Sequence, residues 1–448
     1  MKRRRRTVLN WTLALAVASV TLAAGNTAAD PIPQGWKALN MQPIGYSHMD
    51  GKPPFKLAIK RAGNKWYLYT GHLWHDGWSI VDVTDPANPK YVKFIPGMPN
   101  SWNIQVTLHD NLMIGALQPK VAAWGGDPTK PGSEGIIIWD ISDPLNPKEV
   151  SRWKSGAGGT HRNSYPGGRY AYLSSGYPGY QGGNILVILD VSDPRNPKEV
   201  GKWAQPGMNK AAGETLRPNV PYGFHGPAVV SPDGRTLVTA FSPGLVALDI
   251  SDPANPKEIS RLDFSPPFIN AGSQSLHSAL PLWDRNLVFV ASEASNERCN
   301  EGLNFAGLVD IKDIKRPRLM SLFPLPQPPQ GEPYKNFCEK GGRFGPHNIN
   351  HEVHLPDVEK PGNLIYLTYF NAGVRVFDIK DPISPRETGW FIPPPPLKRY
   401  GPQPPNDLVQ QSEDVLVDTR GYIYLDDKHW GLFILKYSGP DQPAPTAK

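Results

Sequence analysis

The stretch VALDISDPANPKEI at residues 246–259 decides the architecture, because the chain writes it repeatedly. SIVDVTDPANPKYV (79–92), IIWDISDPLNPKEV (137–150), VILDVSDPRNPKEV (187–200), GLVDIKDIKRPRLM (307–320) and RVFDIKDPISPRET (375–388) align with it without gaps. The alignment falls on Asp82, Asp140, Asp190, Asp249, Asp310 and Asp378, and a degraded copy beginning at Phe433 places Lys436 at the same position. Steps of 58, 50, 59, 61, 68 and 58 residues separate these sites, so one supersecondary unit occurs seven times.

Within each unit the apolar, β-branched run ending in Asp reads as a strand buried on both faces. The Asp-Pro-x-x-Pro that follows forces a turn, since its prolines lack the N–H that a central strand needs. The repeated Asp residues read as turn-bracing groups that bond their own backbone. Lys-Glu-Val and its variants then open a more polar outer strand, and pairs such as RYAYLSSG and TLVTAFSPG precede each unit, making four short strands per repeat. No helical periodicity appears beyond the first residues of the chain. The expected fold is therefore all-β, a seven-bladed β-propeller of four-stranded blades.

The last repeat stops soon after Tyr437 without a good outer strand, whereas PIPQGWKALNMQPIG near the N-terminus resembles NPKEVGKWAQPG after Asp190. An N-terminal strand is expected to complete blade seven and leave no open sheet edge. The repeat resembles the LVIVD repeat of secreted bacterial β-propeller proteins over nearly the whole chain. That resemblance implies the fold and leaves the activity open, because propellers host hydrolases, oxygenases, lyases and binding modules alike.

The formal charge of +6 owes five positive charges to Lys2, Arg3, Arg4, Arg5 and Arg6, so the remainder is nearly neutral and nucleic acid is not an expected partner. Those residues precede WTLALAVASVTLAA and then Thr27 and Ala29 at cleavage spacing, so residues 1–29 read as a secretory signal and 30–448 as one propeller domain. Arg5-Arg6-Thr7-Val8-Leu9 also resembles a twin-arginine signal lacking the usual Phe, which leaves the export route open. The expected location is the periplasm or the medium, with no integral membrane span after cleavage. There Cys299 and Cys338, the two cysteines of the chain, are expected to pair across 39 positions, for about 3–4 kcal/mol of stabilisation. Proline-rich insertions at Pro324–Arg343 and Pro393–Asn406 are expected to form a lid or rim without helix.

The histidines follow the repeat. His161, His225 and His277, in THR, FHG and LHS, each stand immediately before the first strand of a blade, and either His347 or His351 of GPHNINHEVHLPD takes that place in the next. Glu413 of QSEDVLVD holds it in blade seven and Asn103 in blade two. The first strand of each blade lines the central channel, so these side chains converge on the axis. Neutral imidazoles converging from several directions suit a transition metal, with iron or copper favoured and manganese or zinc open. Glu413 is the candidate catalytic residue, or a carboxylate that fixes the tautomer of a ligating imidazole. The arrangement is similar to that of the carotenoid cleavage oxygenases, which hold iron on the propeller axis with four histidines. The flanking sequences and lid of that family are absent, so its substrate does not carry over.

His72, His75 and His429 fall in hairpins between second and third strands, outside the axis. His354 and His109 read as structural, and His48 as a neighbour of the channel mouth. There is no phosphate loop, HExxH, GxSxG or CxxC. Tryptophan and tyrosine are numerous, and their usual place is between blades. The expected function is that of an exported oxidoreductase or oxygenase using one axial metal on a small, aromatic or other organic substrate. The alternatives are a non-catalytic propeller that binds a ligand or protein, and a metal-dependent hydrolase.

Overall fold

The computed structural model describes residues 29–264, 274–302 and 304–442. The expected signal segment, 1–29, lies outside them except for its last residue. Seven antiparallel sheets follow one another along the chain, and blade one (Leu57–Ala62, Lys65–Gly71, Gly77–Asp82, Lys90–Pro96) sets the pattern. In blades one to five the sheet order follows the chain order, whereas blades six and seven each take an outermost strand from the N-terminal segment. The third strands GWSIVD, GIIIWD, ILVILD and GLVALD are buried at every position but the closing Asp, as a strand covered on both faces must be. Apolar cores lie between consecutive blades, with Trp203 of blade three packed on Phe241 of blade four and Trp78 of blade one on Trp139 of blade two.

The turn after each third strand is braced as its composition requires. The closing Asp accepts the amide two residues on, at 2.9 Å for Asp82 and Thr84, 2.8 Å for Asp140 and Ser142, and 2.7 Å for Asp378 and Lys380. The Asp of the following Asp-Pro repeats this, Asp85 Oδ1 accepting from Ala87 N at 3.0 Å. A β-bulge then interrupts the pairing of third and outer strands at the same place in blades one to six. In blades two to five the residue just past the bulge is Ser or Gly, and it meets the carbonyl after the Asp of the next blade's turn, whereas Gly389 of blade six abuts the Tyr437 ring. Ser151 Oγ donates to Pro194 O at 2.6 Å, Ser260 Oγ to Ile314 O at 2.6 Å and Ser321 Oγ to Pro382 O at 2.7 Å. At Gly201 the backbones come closer still, and a Cβ there would lie 2.0 Å from Pro253 O. The repeated motif thus encodes the joint between blades as well as its own turn.

The ring closes through the N-terminus. Met41–Ser47 pairs with Gly431–Tyr437 as the outer strand of blade seven, and Gly45 abuts the Pro86 carbonyl of blade one. Just before it, Lys37–Leu39 pairs with Arg386–Ile392 and adds an edge strand to blade six, which the sequence comparison did not foresee. At the axis the inner edge of blade two is split into Ser101–Trp102 and Val106–His109, and two blades have isolated bridges in place of an inner strand. The inner edge of blade three is made by the bridges Thr160 to Ser175 and Ser164 to Tyr172, and that of blade six by Ile349 to Leu367.

Cys299 and Cys338 are bonded. Contrary to the expectation of no helix, the first insertion ends in one helical turn, Phe337–Lys340, capped by Asn336, whose side chain accepts from Glu339 N at 3.0 Å. The disulfide ties that turn to the loop after Leu287–Glu293, and Asn406 of the second insertion donates to Glu297 of the same loop at 2.8 Å. The insertions form a rim on one face.

Deleting Pro31–Ile44 removes the edge strand of blade six and half the partner of Gly431–Tyr437, so the truncated chain is expected to aggregate or melt far below the parent in a thermal scan. Gly201→Val is expected to cost about 1–3 kcal/mol by forcing the backbones of blades three and four apart. Gly201→Ser should cost less, and denaturant midpoints of the two variants rank them.

Candidate metal centre

Blades three to six each send one imidazole to the axis. His161 follows the bridge residue Thr160, His225 follows the bridge residue Phe224, His277 lies in Gln274–Leu282, and His347 precedes the bridge at Ile349. Their ring centroids form an arc, 5.5 Å from His161 to His225, 4.4 Å from His225 to His277 and 4.7 Å from His277 to His347. Blade seven continues the arc with Glu413, whose Oε2 is 3.2 Å from His347 Nδ1. Asn103 of blade two is buried without a side-chain partner among the described residues.

Hydrogen bonds fix the tautomers of two rings. His347 Nδ1 donates to Glu413 O at 2.7 Å. His161 Nδ1 donates to Gln118 Oε1 at 3.0 Å. Ser278 Oγ gives its own proton to His347 O at 3.0 Å and lies 3.0 Å from His277 Nδ1, which the Arg162 guanidinium also approaches at 3.3 Å. His161 and His347 therefore carry their proton on Nδ1 and present the Nε2 lone pair. The Nε2 atoms of His277 and His347 each lie 3.7 Å from a carboxylate oxygen of Glu293, the last residue of Leu287–Glu293. His277, His347 and Glu293 offer ligand atoms within 4.8 Å of one another, and His225 Nε2 is buried with no partner among the described residues.

Charges around the arc keep the imidazoles neutral. Burial first, then the Arg162 guanidinium, holds His161 at about 4 and drives His225 and His277 well below the usual range, while burial brings His347 to about 3. Arg162 lies across the axis. Its Nη1 donates to Gly226 O at 3.0 Å and more closely to His277 O, and its Nη2 donates to Asn348 Oδ1 at 3.0 Å, joining blades three to six. Arg343 links the two acids, 3.2 Å from Glu293 and 2.9 Å from Glu413. Burial alone raises both carboxyls. Lys428 and Arg343 overcome it at Glu413 and hold that group at about 2, whereas Glu293 stays above its ordinary value.

His351, the other candidate for the blade six position, does not join the arc. Four residues past His347, its Nε2 donates to Ala279 O at 3.1 Å, and it lines a separate cavity of about 540 Å³ at the opposite ends of the inner strands. His354 and His109 stack there at 6.2 Å, as structural residues do. His72 is held between Pro53 O and Ser79 Oγ at 2.8 Å each. His48 pairs with Asp30 at 3.0 Å on an exposed loop and is not among the residues lining the mouth. Sequence reasoning missed Glu293, Arg162 and Arg343. Arg162 directly follows His161, which was a usable signal, whereas Glu293 and Arg343 come from a second-strand end and an insertion that the repeat does not mark.

The arc floors a cleft of about 690 Å³ whose walls include Phe55, Trp102, Trp124 and Phe224. A family model described as the LVIVD repeat matches residues 168–204 and 237–263, which are blades three and four. This is a β-propeller carrying LVIVD repeats. Among solved structures, the Cps50 (Swd1) β-propeller domain of Myceliophteria thermophila superposes with a TM-score of 0.51 at 12% identity, covering 89% of this chain and 99% of that one. The N-terminal domain of Nup159 gives 0.47 at 12% identity over 91% and 97%. The former likeness concerns the fold alone. No curated protein matches the chain.

Replacing Arg162 by Met leaves buried carbonyls of two neighbouring blades without donors. The expected loss is about 3–5 kcal/mol of unfolding free energy, read from denaturant melts, and an unchanged midpoint would refute the bracing role.

Proposed function

We propose that this propeller holds one transition metal ion on its axis and is an oxidoreductase acting on a small organic substrate in the cleft above it. The ligands are Nε2 of His277 and His347 and the Glu293 carboxylate, with His225 and then His161 continuing the arc. One observation carries this reading: Nδ1–H of His161 and His347 is committed to protein acceptors, so the unprotonated Nε2 of His347 faces the Glu293 carboxylate, which lies 3.7 Å from it and from His277 Nε2 alike. A cation resolves that arrangement. Two imidazoles with one carboxylate suit iron, with zinc able to take the same set, and the ion would supply Lewis-acid or electron-transfer chemistry.

Glu413 is given a positioning role rather than a catalytic one. Its carboxylate is engaged by Arg343 and Lys428, and its backbone carbonyl orients His347. The disulfide and the basic, then apolar, N-terminal sequence support export to the periplasm or the medium.

Elemental analysis of protein expressed with iron, copper, manganese and zinc tests the site. The parent is expected to carry close to one equivalent of one metal. His277→Ala, His347→Ala and Glu293→Gln are expected to fall well below it, while His48→Ala and His351→Ala match the parent. Near-zero metal in the parent would leave a ligand-binding propeller in place of the enzyme.

A further inference from the structure

Blade two builds one wall of the cleft, and its chemistry differs from that of the floor. Trp102 stands 6.4 Å from the His161 ring, at the end of the imidazole arc. Trp124 meets it edge-on at 5.4 Å and is itself stacked on Trp74 at 5.7 Å, so the indoles brace one another. Gln105, three residues after Trp102, is only 7% exposed, lines the cleft, and has no side-chain hydrogen-bond partner among the described residues. Gln118 commits its carbonyl to His161 and leaves its amide N–H groups without an acceptor among the described residues. The Gln105 carboxamide opens on the cleft, so water or a ligand there is what meets its donor and acceptor.

Charge narrows the ligand. Arg343 and Lys428 lie 5.8 and 5.0 Å from the Trp124 ring, so the indole wall already faces two cations and does not favour a third. The carboxylates at the floor, Glu293 and Glu413, already occupy Arg343, so an anionic ligand would have to displace one of them. The amide pair and the indoles are neutral. We infer that blade two is the substrate-recognition wall, and that it takes an uncharged aromatic ring carrying a hydroxyl or amide group, stacked on Trp102 and hydrogen-bonded to Gln105. A cleft of about 690 Å³ holds a substituted ring of that kind. This inference rests on the proposed function only in taking the cleft above the arc as the place where substrate sits.

Calorimetric titration of the purified protein, its metal content measured in the same sample, tests it with four probes: 4-hydroxybenzamide, 4-hydroxybenzoate, tyramine and glucose. The neutral phenol is expected to bind at least about tenfold more tightly than the other three, and Trp102→Leu and Gln105→Leu are each expected to weaken it by about tenfold. Both variants should keep the parent's metal content, which shows that the floor is intact. Equal binding of a charged probe or of glucose, no binding of the phenol, or unchanged affinity in both variants overturns the inference. Absence of metal in a parent that still binds the phenol overturns the metal reading and leaves this one standing.

Discussion

A strand that is apolar on both faces has to be covered twice, and that requirement shapes this protein. Each third strand is buried to its closing Asp, so every blade needs a neighbour on either side and the row of blades can end only by meeting itself. The joints are small: a Ser hydroxyl or a bare Gly past the outer-strand bulge, set against the carbonyl of the next Asp-Pro turn. Bulkier residues would pry the blades apart. The N-terminus satisfies the last edge and overlaps the seam, pairing with blade six through Lys37–Leu39 and with blade seven through Met41–Ser47.

Ring closure creates a second constraint at the centre. Inner segments from all blades crowd one axis, where water is scarce and every polar group must find a partner. Arg162 meets part of that demand by donating to blades four, five and six. Its charge, added to burial, keeps the surrounding imidazoles unprotonated, which is the state in which they can ligate. The same guanidinium therefore braces the fold and conditions the site. At the other side of the arc Arg343 and Lys428 hold Glu413 ionised, and Glu413 holds the His347 ring through its backbone.

The site was legible where it followed the repeat. His161, His225 and His277 share one position in their blades, so their convergence could be read from spacing alone. The fourth could not, because His347 and His351 lie four residues apart in a blade whose inner strand is reduced to a single bridge. Only the packed chain shows that His347 meets His277 while His351 bonds Ala279 at the far end. Glu293 was invisible for a related reason: it ends a second strand, and nothing in LVFVASE distinguishes it from an exposed strand terminus.

The sequence by itself determined the number of blades, the braced turns, the clasp and the pairing of Cys299 with Cys338, because each follows from local periodicity, turn chemistry or simple count. Tertiary structure alone decided the neighbours of each imidazole, the ion pairs of Arg343 and the wall of indoles on blade two. Those contacts join residues from different blades and from insertions outside the repeat. Their distances are set by the radius at which seven sheets close and by where the disulfide-tied rim folds back, and neither quantity is written in any one stretch of chain.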